Sequence, residues 1–247
     1  MHKIILLSIT VIMGNATDVN HIKDLCLKQD AKKCNDLGVM YQTGKNFTKN
    51  YKKSVFYYKK ACDLNHHLAC NNLGQMYENG QGVQPNIKMS FKLYSKACDG
   101  DSRYGAYGCT NLGYMYYMGN YVRKNDKKAV NLYIKGCEVG DPYGCGNLGL
   151  MYELGLGGLV KNYKKANTLY EIACKGKIAI ACFNIGLLYK NGYGVEKNKN
   201  KALNYFKQAC QLGDKKSCNA ANNLQNKNSQ GNKRLRYGKH TLTSIHQ

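Results

Sequence analysis

Twelve cysteines recur along this chain with a beat. They fall into six pairs: Cys26/Cys34, Cys62/Cys70, Cys98/Cys109, Cys137/Cys145, Cys174/Cys182 and Cys210/Cys218. Five pairs are 8 residues apart, and the third is stretched to 11. Successive first members lie 36, 36, 39, 37 and 36 residues apart. A period near 36 means a stack of similar units, each too small to bury a core alone. Two cysteines on one helix at that spacing would stand about 12 Å apart, whereas a disulfide needs Cα atoms within about 7 Å. The chain therefore reverses within each pair, and each pair staples one helix to the next.

The same pairing speaks to compartment. Residues Met1 to Ala16 read as a secretory signal peptide: Lys3, then the apolar run Ile4 to Met13, then small residues at Gly14-Asn15-Ala16. That run is shorter than the roughly 20 residues that span a bilayer. An even cysteine count behind an export signal implies disulfides in the periplasm or outside the cell. Metal is not expected. No Cys-x-x-Cys pair occurs, and the six histidines do not follow the repeat. No cofactor is expected either. The formal net charge of +22 should draw the chain to acidic partners such as glycans or lipid head groups. Export argues against nucleic acid. A general richness in Lys and Asn gives the same charge with no partner at all.

Each unit has two halves. The first reads Leu-Gly-x-x-Tyr-x-x-Gly, as in Leu73 to Gly80, with Leu73, Met76 and Tyr77 at helical spacing and Gly80 as the stop. The second reads Lys-Ala-x-x-x-Tyr-x-x-Ala-Cys, as in Lys165 to Cys174; in the last copy Phe206 takes the Tyr position. We term these helices A and B. The glycine inside helix A returns at Gly38, Gly74, Gly113, Gly149 and Gly186. Glycine there costs about 1 kcal/mol relative to Ala, so its return predicts a close approach of two helix backbones. The predicted order is a lone B helix, five full A–B hairpins over residues 17–225, and a degenerate A helix, Lys215 to Gln225. Residues 226–247 are polar and basic and are expected to form a disordered tail.

The motif, best seen from Leu73 to Cys98 and from Ile185 to Cys210, resembles Sel1-like repeats, relatives of the tetratricopeptide repeat. The added paired cysteines make the chain similar to the Helicobacter cysteine-rich protein family over about residues 20 to 225. The resemblance implies an all-α, right-handed α/α solenoid of disulfide-stapled hairpins. It also implies a secreted protein, penicillin binding, weak β-lactamase activity and contact with the host immune system.

Two functional readings follow. In the first the chain is a binding scaffold, its A helices lining a concave groove as in similar repeats. The position before the Leu reads Asp36, Asn72, Asn111, Asn147 and Asn184. Such a ladder offers paired donors and acceptors to an extended peptide, a muropeptide or a β-lactam-like amide. The same residues would equally serve to bridge helices within the array. A neighbouring column varies: Val39, Gln75, Tyr114, Leu150 and Leu187. An alternative form of this reading is a non-enzymatic adhesion or host-interaction scaffold acting through its basic surface. In the second reading the chain is the β-lactamase of the resemblance. No Ser is followed by Lys three residues on, Lys-Thr-Gly is absent, and no catalytic residue can be named.

Overall fold

The computed structural model describes residues 19–100 and 103–226. The predicted signal peptide and the tail beyond residue 226 lie outside them. Every regular element among the described residues is a helix. In chain order these are α1 (19–27), α2 (Ala31–Thr43), α3 (Tyr51–Asp63), α4 (His67–Asn79), α5 (Ile87–Cys98) and α6 (Arg103–Met118). There follow α7 (Asp126–Glu138), α8 (Pro142–Leu154), α9 (Tyr163–Lys175), α10 (Ala179–Asn191), α11 (Lys199–Gln211) and α12 (215–226). The even-numbered helices are the A type and the odd-numbered ones the B type. Contacts group the chain into two compact units, one ending at Gly144 and one beginning at Cys145.

In the first unit α2 packs on α3, α4 on α5 and α6 on α7, while α3 also packs on α4 and α5 on α6. In the second unit α10 packs on both α9 and α11. One small set of contacts repeats in every hairpin. The A helix stops at a glycine in the left-handed region, such as Gly44 at φ 79° and Gly80 at φ 66°. The B helix starts at an asparagine: Asn50, Asn86, Asn125, Asn162 or Asn198. Its side chain accepts a bond from the backbone N–H three residues on. Its own N–H donates to the carbonyl of the Leu-Gly-x-x-Tyr tyrosine, at 2.8 to 2.9 Å in all five copies. The loop is thus closed at both ends by backbone groups that would otherwise be unpaired.

At the Leu-Gly glycines the structure places a side-chain ring against helix A, in place of the predicted close approach of two helix backbones. A Cβ on Gly38, Gly74, Gly113, Gly149 or Gly186 would meet the ring of Tyr58, Tyr94, Tyr133, Tyr170 or Phe206 at 2.4 to 2.9 Å. These five aromatics come from the B helix of the same hairpin and are at most 1% exposed. Beside them run Ser54, Ser90, Ala129, Ala166 and Ala202, all fully buried. The Ser54 hydroxyl donates to the Gly38 carbonyl at 2.8 Å, and Ser90 does the same to Gly74. With no Trp in the chain, this ring-on-glycine contact gives each hairpin a fully buried aromatic.

All twelve cysteines are disulfide-bonded. The predicted pairs Cys26–Cys34, Cys62–Cys70 and Cys98–Cys109 staple the first unit, and Cys174–Cys182 and Cys210–Cys218 the second. Each joins a B helix to the A helix after it. Their Cα atoms lie 4.5 to 4.8 Å apart, the stretched third pair included.

The head of α8 holds a buried charge. Asp141 is 1% exposed. Its Oδ1 accepts from the Tyr143 N–H at 3.0 Å, while Oδ2 and the adjacent Thr110 hydroxyl make no bond of hydrogen-bond geometry. Burial pushes the Asp141 carboxyl above the usual carboxylate range, against bonds that favour its charge. A carboxyl raised in the folded state costs stability when ionised, and that cost is relieved as pH falls through its folded value. Asp141→Asn keeps the cap and removes the charge. It is expected to be at least as stable as the parent at neutral pH, by a margin on the order of 1 kcal/mol. The margin should shrink as pH falls toward the unfolded carboxylate value near about 4. Thermal midpoints of the two proteins across that range check it; a margin constant with pH contradicts the assignment.

Candidate functional site

Helix A carries the positions singled out for binding, so the site is built from its register. The residues after the second cysteine divide between core and surface by helical register. Leu37, Leu73, Leu112, Leu148 and Ile185 point into the core. The residues before them, Asp36, Asn72, Asn111, Asn147 and Asn184, are half-buried. Two positions further on, Val39 is 37% and Tyr114 is 44% exposed, while Gln75, Leu150 and Leu187 are intermediate.

The asparagine ladder is partly engaged within the protein. The Asn72 side-chain amide faces Asn35 Oδ1 of the preceding A helix at 3.4 Å, and Asn111 donates to Asn71 Oδ1 at 2.8 Å. Asn35 and Asn71 are buried. Asn72 also lies against the Tyr58 hydroxyl, and Asn184 against that of Tyr170. The bridging role open to these residues at the sequence level is therefore filled for Asn72, Asn111 and Asn184. In Asp36 the ladder begins with an ion pair instead, to Lys33 at 3.9 Å.

These tyrosines form a series of buried hydroxyl networks that the repeat motif alone does not reveal. Tyr58 donates to Gln42, Tyr94 to Glu78 and Tyr170 to Glu153, each at 2.6 Å. Burial pushes the Tyr58 hydroxyl up to about 12, and drives those of Tyr94 and Tyr170 higher still, with their glutamate partners adding to the effect. All three therefore act as neutral donors at any physiological pH. The acceptor stands eight residues after the second cysteine of its repeat, a position that reads Gln42, Glu78, Tyr117, Glu153 and Lys190. The signal was present, as polar residues facing a buried Tyr, but only the hairpin geometry brings the two columns together.

The lysines have a definite setting too. Lys53, Lys128, Lys165 and Lys201, in the first turn of their B helices, place Nζ 5.0 to 5.3 Å from the ring centroids of Tyr41, Tyr116, Tyr152 and Tyr189. A cation near a helix N-terminus opposes the macrodipole, and the ring face offsets this by about 0.5–1 kcal/mol. Lys96 and Lys135 instead donate to the carbonyls of Cys62 and Cys98, at the C-terminal ends of the preceding B helices. Part of the positive charge is thus built into the repeat. Among the described residues no group of His, Cys, Asp and Glu is placed to hold a metal, and no helix is long and apolar enough to cross a membrane.

A family model, the Sel1 repeat, matches residues 34–66, 67–102, 106–141, 142–177 and 179–214. Among solved structures, the chain is similar to a Sel1 repeat protein from Oxalobacter formigenes. The two are 28% identical with a TM-score of 0.69, over 81% of this chain and 86% of that one. It is also similar to c5321, a protective antigen of uropathogenic Escherichia coli with an SLR fold, at 27% identity and TM-score 0.68. That match covers 86% of this chain and 45% of that one, so this chain spans less than half of its length. The Helicobacter pylori cysteine rich protein B matches at 28% identity over 70% of this chain and 95% of its own, with a TM-score of 0.34. No curated protein sequence matches.

Proposed function

We propose that this chain, which belongs to the Sel1 repeat family, is an exported binding scaffold. Within a unit, its A helices would take an extended peptide, or a cell-wall-type or penicillin-like amide, along their variable column. The observation that carries this reading is the contrast between neighbouring positions. Glycine, ring and cap positions repeat nearly unchanged, while the column beside the asparagines varies, from Val39 through Gln75 and Tyr114 to Leu150 and Leu187, with Val39 and Tyr114 exposed. The asparagines then serve two ends. Asn72 and Asn111 are oriented by Asn35 and Asn71, and what Asn72 does not spend on Tyr58, together with the rest of the Asn111 amide, would meet a ligand. Export is supported by the disulfides, which persist in oxidising compartments.

The test separates the column from the ladder. Gln75→Ala with Tyr114→Ala alters outward side chains and is expected to leave the thermal midpoint in place. It should weaken binding of a stem pentapeptide or a dye-labelled penicillin by about tenfold or more. Asn111→Ala, Asn147→Ala and Asn184→Ala together should weaken binding by roughly one to three decades, at about 0.5–1.5 kcal/mol per bond lost. This triple variant should also lose stability, since Asn111 and Asn184 are engaged within the protein. Wild-type affinity in the Gln75/Tyr114 variant would sink the column as the binding surface. Retention on heparin that vanishes with salt, with no peptide binding, would favour the basic-surface scaffold. The hydrolase reading rests on resemblance alone; turnover of a chromogenic cephalosporin by the purified protein is its direct assay.

A further inference from the structure

In the last full repeat three positions depart together from the pattern of the others. Phe206 stands where Tyr58, Tyr94, Tyr133 and Tyr170 stand. Lys190 stands where Gln42, Glu78 and Glu153 accept the tyrosine hydroxyl. Ala220, on α12, stands where Asn72 and Asn184 lie against that hydroxyl from the following A helix. Donor, acceptor and second partner are removed as a set. All three replacements line one cavity of about 400 Å³ between α10, α11 and α12.

Terminal repeats are expected to drift because one face meets water. Drift alone would leave this space either filled or uniformly polar. It is neither. Phe183, Leu187, Phe206 and Leu224 give an apolar floor, with Phe206 and Leu224 buried. Lys190 and Lys216, both exposed, stand at the wall without an acidic side chain among the lining residues. Asn219 and Asn223, one turn apart on α12, add amide groups. Asp214, whose charge Lys216 feels, is engaged by the Ser217 N–H and hydroxyl at the head of α12. The volume is that of a small-molecule site, for which about 300–1,000 Å³ is usual.

We propose that this cavity binds a small amphipathic carboxylate, its apolar body on the Phe183/Phe206 floor and its charge between Lys190 and Lys216. A flexible ammonium pair at the mouth of an apolar recess favours one anionic group on a compact apolar body. The cavity shares Leu187 with the peptide column, but its test uses other residues and another probe, so either reading can fail alone.

The probe is phenylbutyrate, with phenylbutyramide as its uncharged counterpart, titrated calorimetrically into the full chain at about physiological ionic strength. The acid is expected to bind saturably and the amide about tenfold or more weaker. Lys190→Met with Lys216→Met, both at exposed positions, should bring the acid down to the affinity of the amide. Restoring the pattern of the other repeats with Lys190→Glu, Phe206→Tyr and Ala220→Asn should abolish binding of both. Equal affinity for acid and amide, undiminished binding by the lysine-free variant, or no binding of the acid at all would each overturn the proposal. If the restored variant loses its helical content, the lysine-free variant alone decides.

Discussion

Full reduction of this protein with a phosphine is expected to destroy its helical signal at a temperature where the oxidised form is folded. The pairs close loops of only about 9 to 12 residues, for which the chain-entropy model assigns about 2.5 kcal/mol each. With all twelve cysteines bonded, the sum is on the order of 15 kcal/mol, at or above the whole net stability of an ordinary domain. An array whose contacts run only between neighbours has no distant packing to fall back on. Circular dichroism during a thermal scan, with and without reductant, reads the effect. A reduced protein that melts within about 10 °C of the oxidised one would mean that the ring-and-glycine packing suffices without the staples.

Leucine in place of Gly149 has the next largest effect. A Cβ there lies 2.9 Å from two ring carbons of Tyr170, and 3.4 Å from the Ala166 carbonyl. The ring cannot swing aside without breaking the bond from its hydroxyl to Glu153 at 2.6 Å. Overpacking costs about 1–3 kcal/mol, and loss of a buried bond to a charged group about 1.5–3 more. The thermal midpoint should fall by roughly 6–15 °C for a chain of this size. Adding Tyr170→Ala makes room and should recover part of the loss in the double variant. A midpoint unchanged in Gly149→Leu would show that helix α8 has a different phase.

Much of this was legible in advance. The cysteine beat implied the staples and the two-helix unit, because a disulfide's short reach leaves few ways to place residues 8 apart. The A and B helices followed from periodicity, and their ends from glycine. What periodicity could not supply was the partner of each glycine. Gly38 and Tyr58 are 20 residues apart, and only the crossing of two helices brings ring to backbone. The N-cap column from Asn50 to Asn198 was likewise hidden, since Asn is common throughout and only the bond to the tyrosine carbonyl marks these five. The asparagine ladder was seen, but its attachment to Asn35 and Asn71 was not, because it joins residues 37 and 40 apart. The cavity beside Phe206 was legible only in part. The Tyr-to-Phe change stood out in the motif, whereas the companion changes at Lys190 and Ala220 gain meaning from the hydroxyl they no longer serve.

On the proposed export route, the two thiols of each staple, 8 or 11 residues apart, would leave a narrow translocation channel almost together. A pair can close before the next pair has emerged, so the first thiol to appear meets its native partner ahead of any competitor. Oxidation then follows the order of synthesis, and wrong linkages are avoided by timing as much as by energy. A chain with this many cysteines threaded between distant positions would depend on an isomerase to unscramble it. Here that demand is light, and lengthening the array by further repeats would not increase it.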